Sequence, residues 1–255
     1  MLFDTHCHLM DEQFDGDLVE VVQRANDAGV NRIVIPGIDV ETSRKAIAIA
    51  ERFDGIYAAV GVHPEAAKDV PNVAFDEIRK LAKHPKVVAV GEIGLDYYWD
   101  AAPRDEQQRV MALQIEIAKE CGLPVIIHNR EATQDVVELL RSTNASDVGG
   151  VMHCFMGTYE IACKCIDMGF FISIGGPVTF KNAKSVHAVA PMIPNDSLLI
   201  ETDSPYLAPH PYRGKRNEPS YVSLVAARMA ELKETSVEQI AELTTRNANK
   251  LFGKA

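Results

Sequence analysis

Residues able to bind a divalent cation recur along this chain at the ends of short apolar runs. The first set is Asp4-Thr5-His6-Cys7-His8, where a spacing of two in extended chain puts Asp4, His6 and His8 on one face. Two imidazoles so placed can hold one ion from one edge. His63 follows in Gly61-Val62-His63-Pro64, Glu92 in Gly91-Glu92-Ile93-Gly94, His128 in Ile127-His128-Asn129-Arg130 and His153 in Met152-His153-Cys154. Glu201-Thr202-Asp203 again brings two acids to one face, and inward carboxylates are costly without a cation or a proton. Of eight histidines, five (His6, His8, His63, His128, His153) fall in these segments, a convergence that scattered surface residues do not give. His84, His187 and His210 read as structural or loop residues. Imidazole with carboxylate suits zinc, manganese, iron or nickel, whereas magnesium favours oxygen ligands. His6, His8, Glu92, His128, His153 and Asp203 are too many donors for one tetrahedral ion, so two ions with Glu92 between them is the economical arrangement.

Such residues have to be positioned, and the chain alternates β-branched apolar runs with longer amphipathic ones throughout. Strands are expected over 2–6, 31–36, 56–62, 87–92, 124–128, 149–153, 170–174 and 198–203, with the candidate ligands at their C-terminal ends. Helices are expected over 17–28, 41–52, 74–83, 106–121, 132–141, 159–168 and 183–189, with two more, 221–232 and 237–251, beyond a loop rich in Pro and Gly. Eight βα units over 255 residues favour a (β/α)8 TIM barrel in a single domain, 1–255, with an extra C-terminal helix, over a doubly wound open sheet. Barrel enzymes build their sites where these polar residues lie.

A net charge of −10 argues against a protein that grips long duplex DNA through a broad basic face, while leaving room for a local basic cluster. The start lacks the pattern of a signal peptide, and no apolar run reaches the about 20 residues of a membrane span, so a cytoplasmic protein is expected, as a monomer and without a membrane partner. Five cysteines without CxxC spacing indicate neither a disulfide framework nor a zinc ribbon.

The motifs above, extended to Gly91-Glu92-Ile93-Gly94-Leu95-Asp96-Tyr97-Tyr98, His153-Cys154-Phe155 and Glu201-Thr202-Asp203-Ser204-Pro205-Tyr206-Leu207, closely resemble the TatD family of metal-dependent deoxyribonucleases, within the amidohydrolase superfamily. The resemblance covers essentially the whole chain, and the loop Arg213-Gly214-Lys215-Arg216-Asn217-Glu218-Pro219 is similar to the bacterial YcfH-type branch. It implies two divalent ions per subunit (zinc, manganese or magnesium), one held by His6, His8, Glu92 and Asp203, the other by Glu92, His128 and His153. It further implies phosphodiester hydrolysis of DNA, 3′ to 5′ on single-stranded or frayed ends, with links to DNA repair. Met156 departs from the family by replacing a small polar residue, which bears on substrate fit.

On that reading Asp203 is the candidate general base, Glu92 the bridging carboxylate, and His63 a group for substrate phosphate or proton transfer. Glu201 is expected to orient a ligand histidine. Arg130, Arg213 and Arg216, with Lys215, form the best positive set for phosphate, and Tyr97, Tyr98 and Trp99 can stack on a splayed base. The competing enzymatic reading is a small-molecule amidohydrolase or esterase, since the same fold and ligand types serve amide, lactone and phosphotriester hydrolysis. A scaffold or binding module that kept the barrel and lost its chemistry is the non-enzymatic alternative, and the intact ligand set speaks against it.

Overall fold

The computed structural model describes residues 1–99 and 101–253. Eight parallel strands neighbour one another in chain order: β1 (Leu2–Asp4), β2 (Val30–Pro36), β3 (Ile56–Val60), β4 (Val87–Asp96), β5 (Val125–Arg130), β6 (Gly150–Met152), β7 (Phe170–Ile174) and β8 (Leu198–Ile200). Between them run α1 (Leu18–Asp27), α2 (Val40–Arg52), α3 (Asn72–Leu81), α4 (Arg104–Cys121), α5 (Thr133–Ser142), α6 (Tyr159–Asp167) and α7 (Lys184–Val189), and α8 (Val222–Leu232) and α9 (Val237–Phe252) follow β8. Local chemistry sets several boundaries. Asp39 and Thr42 form a reciprocal cap on α2, as Ser236 and Gln239 do on α9, so amides that a helix start leaves unpaired find acceptors. Gly122, at φ 63°, ends α4 in the left-handed conformation that a side chain would oppose.

The sheet closes into the expected (β/α)8 barrel through residues just beyond the first and last strands. Thr5 N donates to Ile200 O at 3.3 Å, Asp203 N to His6 O at 2.9 Å and His8 N to Ser204 O at 2.7 Å, with Cys7 and Ser204 bridged in parallel. The seam is therefore made by the segments that carry candidate ligands. Asn217, buried in the loop after β8, holds it from outside by donating to Thr202 O and Tyr206 O.

Two apolar layers support this frame. The larger fills the space between strands and helices. The smaller takes Phe3, Val34, Ala59, Val88, Ala89, Ile126, Val151, Phe171 and Leu199 from the eight strands together with Ala248 and Phe252 of α9, whose Phe252 ring stands 5.9 Å from that of Phe3. This is the packed floor of the barrel, and α9 seals it. Among the described residues no helix is long and apolar enough to cross a membrane, and all five cysteines are free thiols.

One expectation is corrected. Asp4 does not share a face with His6 and His8, because the chain bends at Thr5 and simple alternation fails there. Thr5 reaches Ser173, its Oγ1 3.3 Å from the serine Oγ, while the Asp4 carboxylate accepts from Thr202 N at 2.9 Å and Thr202 Oγ1 at 2.6 Å. Asp4 braces the seam and takes no place in the mouth. The other differences are of length: β4 continues to Asp96, and β1 and β8 stop at Asp4 and Ile200.

Candidate metal centre

Glu92 lies within β4 and is 2% exposed. Its neighbours are glycines for steric reasons. A Cβ on Gly91 would stand 2.6 Å from Ile126 Cβ, and one on Gly94 2.0 Å from His128 O, so only glycine lets β4 and β5 come this close where the candidate ligands emerge. The Glu92 carboxylate faces imidazoles on both sides. Oε2 lies 3.2 Å from His6 Nε2 and 3.5 Å from His8 Nε2, and Oε1 lies 2.9 Å from His128 Nδ1, 3.3 Å from His153 Nε2 and 3.5 Å from His63 Nε2.

Asp203 completes the first side. Its Oδ1 is 3.7 Å from His6 Nε2 and 3.4 Å from His8 Nε2, and the two imidazole nitrogens are 3.1 Å apart. A tetrahedral ion about 2.1 Å from each donor separates the donors by about 3.4 Å. The observed spacings of 3.1–3.7 Å are those of such a cage, so the donor set fits a cation in size as well as chemistry. Asp203 adopts φ 58°, uncommon for a side-chain-bearing residue, and is held there by the hydrogen bond that its N–H donates to His6 O. His63, Glu92 and His128 form a second set of donors lying within 4.8 Å of one another, and His6, His153 and Glu201 a third.

A layer of carboxylates and amides fixes these rings. Glu201 Oε1 meets His153 Nδ1 at 2.8 Å and also accepts from Cys154 N at 2.7 Å, giving Glu201 the orienting position expected of it. Asp96, which sequence reasoning left without a role, meets His128 Nε2 with Oδ2 at 2.8 Å, while Oδ1 accepts from the amides of Tyr98 and Trp99. Two buried glutamines on one face of α4, also unforeseen, hold the strand ends. Gln107 brackets the Asp96 backbone, donating to its carbonyl and accepting from its amide, and Gln114 does the same for Val62 beside His63. Their spacing of seven was the available signal. His6 Nδ1 and Glu201 Oε2 are buried without a hydrogen-bond partner among the described residues.

The electrostatics say what the cage lacks. Burial opposes a charged ring at His153, yet Glu201 and Glu92 push it up to about 10; at His128 burial is likewise overcome by Asp96 and Glu92, which hold it at about 8. Glu92, despite its burial, is held well below the usual carboxylate range by His153, His6 and His63, and Asp203 is lowered by His8, His153 and His6. Positive charge stabilises the buried acids, whether protons or cations supply it.

The residues expected at the substrate divide. Arg130 lies over the ring of Tyr98 at 3.9 Å and of Trp99 at 5.5 Å, both rings half exposed, and Arg213 lies over Phe180 at 4.1 Å. Arg216 is instead engaged within the fold, donating to Asp17 and to Gln13 O and covering Phe14. Glu218 pairs with Arg24, so this loop is fastened by two ion pairs, one to α1 and one to Asp17 just before it. Tyr97 turns away from base stacking, its hydroxyl on Asp135 and its face under Arg104. Met156 is exposed.

A (β/α)8 barrel whose strand ends gather imidazoles about a shared buried carboxylate defines a class, the metal-dependent hydrolases. The family model for TatD related DNase matches residues 3–253, and the chain belongs to that family. It is 56% identical over 252 residues to the uncharacterized metal-dependent hydrolase YabD of Bacillus subtilis, covering 99% of each chain. It is 35% identical over 259 residues, 100% of each chain, to the 3′-5′ ssDNA/RNA exonuclease TatD of Shigella flexneri. The crystal structure of YjjV, a TatD homolog from Escherichia coli, superposes with a TM-score of 0.94 at 33% identity, over 99% of this chain and 98% of that one.

Proposed function

We propose that this metal-dependent hydrolase cleaves phosphodiester bonds of DNA, 3′ to 5′, on single-stranded or frayed ends. The observation that carries the reading is Glu92, one buried carboxylate with an oxygen turned to each of two donor groups. His6, His8, Glu92 and Asp203 would hold one divalent ion, and Glu92, His128 and His153 a second, be they zinc, manganese or magnesium. Such a pair supplies a lowered pKa for water and positive charge for the scissile phosphate. Asp203 is the general base: its lowered pKa keeps it in the ionised form, the one that can accept the proton of the attacking water. Asp96 and Glu201 keep the His128 and His153 rings in register.

The mouth supports a nucleic-acid substrate. Arg130 against Tyr98 and Trp99 sets a phosphate-binding guanidinium beside exposed faces on which an unpaired base can stack, and Arg213 adds a second cation. Since the Arg216 guanidinium is taken by Asp17, phosphate contact falls to Arg130 and Arg213. The Shigella flexneri relative named as a 3′-5′ ssDNA/RNA exonuclease points the same way.

An end-labelled single-stranded oligonucleotide, incubated with chelator-stripped protein and then with added zinc, manganese or magnesium, tests this. Stepwise shortening from the 3′ end that needs the ion and is lost in Asp203→Asn is the expected result. Inert DNA with turnover of an amide or lactone by the same loaded protein would move the assignment to a small-molecule hydrolase.

A further inference from the structure

His63 sits at the second side of the centre, its Nε2 3.5 Å from Glu92 Oε1, and with Glu92 and His128 it has the composition of a metal site. Its other nitrogen argues against ligation. Nδ1 accepts a hydrogen bond from the amide of Glu65 at 3.2 Å, so Nδ1 carries the lone pair and, in the neutral ring, Nε2 carries the proton. Turning the ring over would set a C–H against that amide, so the hydrogen bond also fixes the ring orientation. His128 and His153 have the opposite arrangement, each with one nitrogen on a carboxylate of the surrounding layer and the other turned to Glu92.

The local sequence explains the difference. In His63-Pro64-Glu65 the proline has no N–H, and the next amide folds back onto the imidazole. His84-Pro85-Lys86, far along the chain on a helix-to-strand turn, does the same, with the Lys86 amide donating to His84 Nδ1 at 3.2 Å. Two of the three His-Pro sequences share this turn, the exception being His210-Pro211, where the Tyr212 amide donates to Pro209 O, so the tautomer at His63 follows from its local turn geometry. At His63 the turn is anchored rigidly: His63 N donates to Ile38 O at 2.8 Å, and Gln114 brackets the preceding residue. Among the described residues Nε2 makes no hydrogen bond: Glu92 Oε1 stands 3.5 Å away and already meets His128 at 2.9 Å, and the His63 side chain is 11% exposed.

We propose that His63 is a catalytic residue rather than a metal ligand: its Nε2–H donates a hydrogen bond to a non-bridging oxygen of the substrate phosphate, where negative charge gathers in the transition state. A neutral imidazole held as a donor stabilises such charge with no transfer of its own proton. The inference rests on the phosphodiesterase reading for its substrate, but not for its tautomer or its place outside the ligand set.

The test uses metal-loaded protein with 15N-labelled histidine. Long-range 1H–15N correlation is expected to show His63 with an unprotonated Nδ1 and a protonated Nε2, matching His84, and inorganic phosphate is expected to shift the His63 Nε2–H signal and leave that of His84 in place. His63→Ala is expected to keep the wild-type metal content by elemental analysis and to lose turnover by about 10²- to 10³-fold, as when one such donor is removed. His63→Gln, whose amide nitrogen can reach the Nε2 position, should recover most of it. A protonated Nδ1, a missing ion in His63→Ala, or a signal indifferent to phosphate would each overturn the proposal. If DNA proves not to be the substrate, the ring tautomer, metal content and phosphate response still decide it.

Discussion

The two ends of the barrel are built on opposite principles. At the floor, Phe3, Val34, Ile126, Val151, Phe171 and Leu199 pack with Phe252 into a layer that is apolar throughout. Every side chain there gains from leaving water, by about 1.5–3 kcal/mol for each large one. In the same strands or just beyond their ends, His6, Glu92, His153 and Glu201 are as deeply buried, and each loses solvation, which charged neighbours outweigh at Glu92 and His153 but not at His6. The floor is stable as it stands, whereas the mouth is stabilised by the floor and waits for positive charge. Substitutions at the two ends should therefore separate activity from stability.

The largest separation is expected at Asp203. Asp203→Asn should lower kcat by about 10²- to 10⁴-fold, the range for a general base, with the melting temperature nearly unchanged in thermal denaturation. Near-normal turnover would remove Asp203 from its role. At the floor, Phe3→Ala should cost about 3–5 kcal/mol in urea unfolding, with metal content per folded molecule preserved. If it spared stability and abolished turnover, the two ends would not be the separate units described.

The next effect is of pH. In metal-stripped protein His128 and His153 are raised from 6.5 to about 8 and about 10, so the folded state holds more protons than the unfolded chain across that interval. Their contribution to stability is complete below 6.5 and falls away as pH rises through 8 toward 10. A cation needs these rings deprotonated, so the extra stability conferred by added metal should grow over the same interval. Melting curves with and without ion should diverge as pH rises, and parallel curves would contradict the assignment of His128 and His153 as ligands.

Smaller still, Asp96→Asn keeps the oxygen that caps Tyr98 and Trp99 but removes the acceptor on His128, and should weaken metal binding by about 10- to 100-fold in calorimetric titration. Last, Arg130→Ala should raise KM for oligonucleotide, while Arg216→Ala should leave KM alone and cost about 1 kcal/mol or less through its pair with Asp17. Equal effects on KM would mean that the loop after β8 meets substrate after all.

That last contrast shows where sequence reasoning stops. Strand order and the strand-end histidines were legible because buried parallel strands read as apolar runs and because imidazole is an unusual residue to place at the end of one. Glu201 was legible as an orienting group from its place beside Asp203. Arg216 looked like Arg130, since a sequence lists charges without saying which already have partners. Asp4 was misplaced because alternation assumes a straight strand and the bend at Thr5 leaves no mark in residue type. Asp96, Gln107 and Gln114 went unread because ordinary polar residues become informative only once their hydrogen bonds are seen.

The seam between β1 and β8 has a consequence for how the protein is made. His6 and His8 follow the first strand and Asp203 follows the last, with Cys7 and Ser204, 197 residues apart, as seam neighbours. During synthesis the first strand leaves the ribosome with one edge open and stays unclosed until nearly the whole chain has emerged. An ion bound there would act as a clasp between the two halves of the molecule's history, adding to the hydrogen bonds that offset the closure entropy of so long a loop. Chelation should therefore loosen the chain ends first, and nascent chains stalled before Asp203 should expose the edge of β1 to other strands in search of a partner.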